Sequence, residues 1–203
     1  MNTLLIKTLL ASTLLAIAAA PAVAQNKIGT IDLRKVFDDY YKTKAADSLL
    51  KDLAADLEKE RKSYMDQYKK LTDDYKKALD DANNQAVSTD EREKRKKAAE
   101  GKLLEIKELE STITQFDNTS RSSLEDRQKQ ARDKILVEIR NVINAKAKTA
   151  GYIMVIDSAA ETINRTPVLL YATGDNDITT NVLAQLNATA PPGTLNERKE
   201  EKK

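Results

Sequence analysis

Cysteine and histidine are both absent from the 203-residue chain. Without cysteine there are no disulfides, so a chain in an oxidising compartment must be held by packing or by association with further copies. Without either residue, the commonest general acids and bases, activated nucleophiles and transition-metal ligands are missing. The chain is therefore not expected to be an enzyme, and no catalytic, cofactor-binding or metal-binding residue is assigned. Glycine-rich phosphate loops are lacking too. Asp175-Asn176-Asp177 resembles the opening of a calcium loop, but Thr180 and Leu186 stand where such a loop needs its glycine and its bidentate glutamate. The segment reads as a turn that caps a helix. Tryptophan is missing, aromatic residues make up 4%, and only five glycines and four prolines occur. With 33% of residues charged, long polar helices fit the composition better than a sheet-rich core. An excess of one charge is also lacking. Removing Lys7, which lies in a leader, from the 34 basic residues leaves 33 against 32 acidic ones, so the chain as a whole is no nucleic-acid binder by charge.

The one long apolar run, 8–20, follows Lys7 and precedes Pro21 and Ala22-Val23-Ala24. It falls short of the ~20 residues of a membrane helix, and the small-x-small site after it marks a cleaved secretory signal peptide over 1–24. The mature chain is expected to begin at Gln25 and to be exported.

From Leu50 a seven-residue step is kept by Leu50, Leu57, Tyr64, Leu71 and Ala78, and a second row by Ala54, Arg61, Tyr68, Tyr75 and Ala82. Arg61 is the single clear violation. Two such rows make the narrow seam of a coiled coil, and the remaining surface is so charged that the partner must be another narrow-striped helix. The pattern stops over 83–89. Ser88 with Glu91 makes a capping box for a second helix, which carries Ala99, Leu103, Ile106, Leu109, Ile113 and Phe116 on its stripe and ends at Gly151. Beyond Phe116 the step lengthens to eleven, with Ile113, Leu124 and Ile135 in one row and Leu109, Ser120, Ala131 and Val142 in another. That spacing relaxes the left-handed supercoil. The polar run 117–123 is weakly helix-forming and reads as a soft point near the base of the arm. An arm of roughly 45 residues projects about 65 Å at 1.5 Å per residue.

Three segments outside the hairpin, 27–31, 152–156 and 168–172, are rich in β-branched or aromatic residues and read as strands. Asp177 is placed to cap a last amphipathic helix carrying Ile178, Val182, Leu183 and Leu186, and Pro191-Pro192-Gly193 closes it. The expected fold is α+β and mostly helical, a long antiparallel coiled-coil hairpin projecting from a small β body. In chain order this gives body over 25–42, arm over 43–132, body again over 133–190, and a charged, disordered tail over 191–203. Three strands make a marginal sheet with open edges. Copies are therefore expected to join through the body, with Ile28, Ile31, Ile153, Val155, Leu169 and Tyr171 as the candidate contact residues.

Lys27-Ile28-Gly29-Thr30-Ile31-Asp32-Leu33-Arg34-Lys35-Val36-Phe37 resembles the opening strand and short helix of the Skp/OmpH family. Gly151-Tyr152-Ile153-Met154-Val155-Ile156-Asp157, Leu170-Tyr171-Ala172 and Asp177-Ile178-Thr179 are similar to its closing strand pair and C-terminal helix. The resemblance runs through the mature chain to about Asn187. It implies a periplasmic, jellyfish-shaped homotrimer whose strands form a central barrel and whose hairpins enclose a cavity for unfolded outer-membrane proteins, with no ATP or other cofactor. The expected function is that of an ATP-independent holdase chaperone; the alternative is a coiled-coil scaffold or adaptor of the cell envelope. Two features depart from the family pattern. The connection 157–167 is longer, and the arm is less basic, with 18 basic and 19 acidic residues over 51–130.

Two sets of arm residues are candidates for contact with partners. Tyr64, Tyr68, Tyr75, Ile113 and Phe116 could line a client-facing surface, and they are also the seam that keeps the hairpin paired. Arg92, Lys94, Arg95, Lys96 and Lys97 cluster just past the arm tip, either as a solvated helix face or as a surface for anionic lipid, lipopolysaccharide or acidic client segments.

Overall fold

The computed structural model describes residues 27–194; the leader expected over 1–24 and the tail beyond 194 lie outside the described residues. Strand β1 (Lys27–Ile31) leads through α1 (Leu33–Asp39) into α2 (Tyr41–Ala82), and a short turn joins α2 to α3 (Thr89–Ala150). Strand β2 (Tyr152–Asp157) then lies parallel to β1, and a loop leads to α4 (Thr179–Asn187). Parallel strands need a crossover connection. Here the whole helical hairpin is that crossover, so the α+β hairpin expected from the sequence is the observed architecture.

Helix α2 has 42 residues, about 63 Å at 1.5 Å per residue. Its two heptad rows are the less exposed face, Ala54 excepted, and on α3 the eleven-spaced rows Ile113, Leu124, Ile135 and Ser120, Ala131, Val142 are likewise buried or half-buried. The violation at Arg61 has a cause: its Nε lies 3.0 Å from Asp117 Oδ1 on the facing helix, both side chains half-exposed. An ion pair thus fills a seam position that an apolar side chain would take. Ser88 Oγ accepts from the Glu91 N–H at 3.3 Å and caps α3, while the Glu91 carboxylate turns to Arg95 instead of completing the box. Gly151 ends α3 at φ 72°, ψ 25°, a left-handed conformation that side chains resist. The polar run 117–123 is helical throughout, and the Thr119 hydroxyl donates to the carbonyls of Gln115 and Phe116 at 2.9 and 3.1 Å.

The core sits where the hairpin meets the strands. Val36 of α1, Ile139 of α3 and Val182 of α4 are fully buried, with Ile31, Tyr40, Ile135, Ile178 and Leu186 around them. Tyr40 breaks the chain between α1 and α2 with extended backbone and no side-chain cap for α2. Asn187, from the far end of α4, caps it in trans: its Oδ1 accepts from the Tyr41 N–H at 2.9 Å and its Nδ2 donates to the Asp39 carbonyl at 3.1 Å. Beside it the Tyr40 hydroxyl donates to Glu138 Oε2 at 2.7 Å, and Lys42 Nζ donates to both Glu138 oxygens.

The structure corrects the third strand expected over 168–172. Among the described residues that segment joins no strand: only its first residue is paired, Val168 N–H donating to the Ala160 carbonyl at 2.8 Å, and the outer side of β1 is taken by the 176–178 stretch, where Thr30 N–H donates to Asn176 O and Ile178 N–H to Thr30 O. The sheet therefore has two strands. Leu170 and Tyr171 are left 84% and 80% exposed. The connection before it folds back on itself, with Glu161 bridging antiparallel to Pro167 and Arg165 at φ 58°. Asp177 caps α4 one residue further out than expected, its Oδ1 accepting from the Thr179 N–H at 2.7 Å.

Two stability predictions follow from the polar contacts. Lys42 first, then Tyr40, lowers the Glu138 pKa below its ordinary 4.5. This contribution is complete above pH 4.5 and is lost as pH falls through the lowered folded value. Burial, then the hydrogen bond to Glu138, pushes Tyr40 up to about 12, and Glu138 raises Lys42. Their contribution is complete below the ordinary value near 10 and is lost as pH rises through the folded values. Glu138→Gln should therefore lower the melting temperature between these limits and little below them. Since Lys42 and Glu138 are half-exposed, the salt-bridge share is about 1 kcal/mol or less; an unchanged pH profile of melting would contradict a stabilising role for the Tyr40–Glu138–Lys42 contacts. For Arg61 and Asp117, a double-mutant cycle with alanine should give a coupling of about 0.2–1 kcal/mol that shrinks in high salt. No coupling in low-salt melts would mean that the bridge contributes nothing to the seam.

Candidate functional site

Three surfaces carry the residues that the sequence singles out. The first is the arm seam. The Tyr64 and Phe116 rings meet across it with centroids 5.3 Å apart and planes tilted by 58°. The Tyr68 hydroxyl donates to Glu110 Oε1 at 2.9 Å, and that hydrogen bond raises the phenol pKa. Tyr75 and Ile113 are half-buried in the same seam. All five are thus half-buried along the seam, but only Tyr64 and Phe116 meet as rings, and part of each side chain faces solvent. Other apolar side chains stand freer, notably Leu49 at 71% and Leu104 at 61% exposed. They fall outside the seam rows, and an isolated exposed leucine carries no signal by itself.

The second surface is the tip. Lys94, Lys96 and Lys97 are exposed, whereas Arg92 is half-buried and its Nε is buried without a partner. Arg95 is turned back onto the hairpin: its Nε lies 3.1 Å from Glu91 Oε1, and its Nη1 donates to the Asp81 carbonyl at 3.4 Å. A cation at the last turn of α2 meets the carbonyls that a helix end leaves unsatisfied. Of the five basic residues, then, three are free at the surface and Arg95 is engaged in holding the tip together. At about 100° per residue Lys94 and Lys97 lie one turn apart on nearly the same face and Lys96 lies further round, so the three free lysines share one half of the α3 surface without forming a narrow stripe.

The third surface is the outer edge of β2. Its neighbour β1 occupies the other edge. Ile28, Ile153 and Met154 are 44%, 62% and 53% exposed, Val155 and Leu169 are half-buried, and Tyr171 is exposed. Ile31 is different, since at 3% exposure it belongs to the chain's own core and has no surface to offer a second copy. Asn187, Tyr40 and Glu138, which fix the root of the arm, were not singled out by the sequence. Each forms its bond with a residue more than 90 positions away, beyond the reach of any local pattern.

Among the described residues no helix is long and apolar enough to cross a membrane. No curated protein matches the chain. A family model described as outer membrane protein (OmpH-like) matches residues 27–186, the span from β1 to the last turn of α4. A match that takes in strand pair, arm and closing helix together places the chain in a family: it belongs to the OmpH-like family.

Proposed function

We propose that the protein is an ATP-independent holdase chaperone that binds unfolded outer-membrane proteins in the periplasm and keeps them from aggregating. The observation that carries this reading is the arm: a two-helix projection about 60 Å long on a body whose core is a small cluster around Ile139, Val36 and Val182. Membership of the OmpH-like family supports a chaperone of outer-membrane proteins as the role of such an arm. Weak contacts distributed along a movable projection can shield apolar segments without holding them so tightly that release fails. The leader expected over 1–24 favours export, and the free lysines Lys94, Lys96 and Lys97 supply a tip that could touch anionic lipid or lipopolysaccharide.

The working unit in this reading is a homo-oligomer, a trimer by the family resemblance, joined through the body. Two unpaired features of one chain support this. Among the described residues the outer edge of β2 is unpaired, with Ile153 and Met154 exposed, and Leu170 and Tyr171 stand exposed outside the sheet. Each is what the other lacks, because an open edge accepts an extended segment and an exposed apolar segment needs cover.

Dilution of a urea-unfolded β-barrel protein into a stoichiometric amount of the chain should suppress light scattering. No suppression would turn the reading toward an envelope scaffold. Replacing 51–130 by a short helical turn should leave the oligomer intact in a native mass measurement, with three copies expected. A monomer would refute assembly through the body.

A further inference from the structure

The aromatic seam residues lie between the helices, which leaves open where on the arm a client would sit. One side of the seam is incompletely filled. A hollow of about 410 Å³ lies at the root, with Phe37, Leu50 and Ile135 in its wall. A second, of about 470 Å³, continues up the arm between Leu57, Phe116 and Leu124 and ends at the Arg61–Asp117 bridge. Gln128 lines both, and Leu50 of the first stands one helical turn from Ala54 of the second. Adjoining at Gln128, the two hollows form a groove in two sections, both open to solvent. Its cause is in the sequence: small side chains at Ala46, Ala54, Ser120 and Ala131 occupy seam or near-seam positions where larger ones would close it.

We propose that this groove holds an extended segment of unfolded polypeptide in which apolar and polar residues alternate. The inference rests on the holdase reading and gives it a site. From Ala46 to Arg61 the groove follows about 22 Å of helix, the length of six or seven residues of extended chain at about 3.3 Å each. Its floor is apolar, and its banks carry charges of both signs, among them Asp47 and Arg132 at the root and Glu58, Arg121 and Glu125 above. A strand presents one face of alternate side chains to such a floor and the other to water. Six acidic residues against four basic ones line the groove, so an anionic lipid headgroup is disfavoured there. In the wall of the root end, Thr43 is 5% exposed and its hydroxyl has no hydrogen-bond partner. That oxygen is shielded from solvent, so it adds to the cost of the thinly packed root and offers no contact to a bound segment.

Since the chain has no cysteine, single thiols can carry a photoactivatable benzophenone. Ala54→Cys and Gln128→Cys place it at two exposed positions in the groove; Asp66→Cys and Ser111→Cys place it at exposed positions of the same helices outside it. The probes are a urea-unfolded β-barrel protein and two synthetic peptides of identical composition, one alternating apolar and polar residues and one with its apolar residues in a block. Helicity of each labelled protein is checked by circular dichroism. The groove positions should crosslink the barrel protein and the alternating peptide about fivefold more than the outer positions, the ratio given by about 1 kcal/mol of preference. The block peptide should show no such preference. Equal crosslinking from all four positions, or equal capture of both peptides in the groove, overturns the site while the unlabelled protein still suppresses aggregation. Failure of the unlabelled protein to suppress aggregation overturns the holdase reading and the site with it.

Discussion

A single helix carries both of the molecule's packing surfaces. The 62 residues of α3 supply the seam of the arm and, further along the same stripe, Ile135 and Ile139 of the core. A stripe that kept seven-residue spacing would drift around a straight helix by ~20° per heptad and would bring the wrong face to the body. The change to eleven-residue spacing after Phe116 cancels most of that drift. Seam and core therefore lie on one line of one helix, and the arm cannot swing on the body unless α3 itself bends.

The two helices of the arm are anchored by different physics. Helix α3 enters the core as an unbroken rod, and truncating a side chain such as Ile139 there costs about 2–5 kcal/mol. Helix α2 begins after a break at Tyr40, and hydrogen bonds from Asn187 and Glu138 are prominent among the contacts at its first turn. A lost helix cap costs about 0.5–2 kcal/mol, so the root of α2 is the weaker of the two. Any opening of the arm should start on the α2 side, and α4, which delivers Asn187, is part of the arm's foundation although it lies at the other end of the chain.

Local chemistry was legible in the sequence wherever one residue type does one job. The heptad rows gave the hairpin, Ser88 its turn and Gly151 the end of α3, because spacing and capping act over a few residues. Arg61 looked like a flaw because its reason, Asp117, is 56 positions away. The strand expected over 168–172 failed for a related cause. Its β-branched and aromatic residues express a preference for a pleated, half-buried surface, but the outer side of β1 is taken by 176–178 and the segment is not laid against the open edge of β2. The basic cluster was legible as composition but not as geometry, since Arg95 caps α2 while its lysine neighbours stay free.

The thin seam that makes the groove also limits how tightly it can bind. A segment of six or seven residues in extended chain turns three or four side chains toward one face. Burying each contributes about 1.5–3 kcal/mol if complete, but a groove open along its length buries them only in part. Ordering the segment offsets much of the rest, at about 0.5–1.5 kcal/mol for each side chain immobilised. One arm should therefore hold a client weakly and exchange it quickly. In the homo-oligomer proposed above, several arms on one body would change the arithmetic, because a second segment of the same client would bind at the high effective concentration set by the chain between them. In the proposed holdase such a client would stay captured while it is long and unfolded, and would leave when folding or insertion withdraws its segments one at a time. In that reading release would require no nucleotide, only a competing place for apolar residues that is better than a half-open groove.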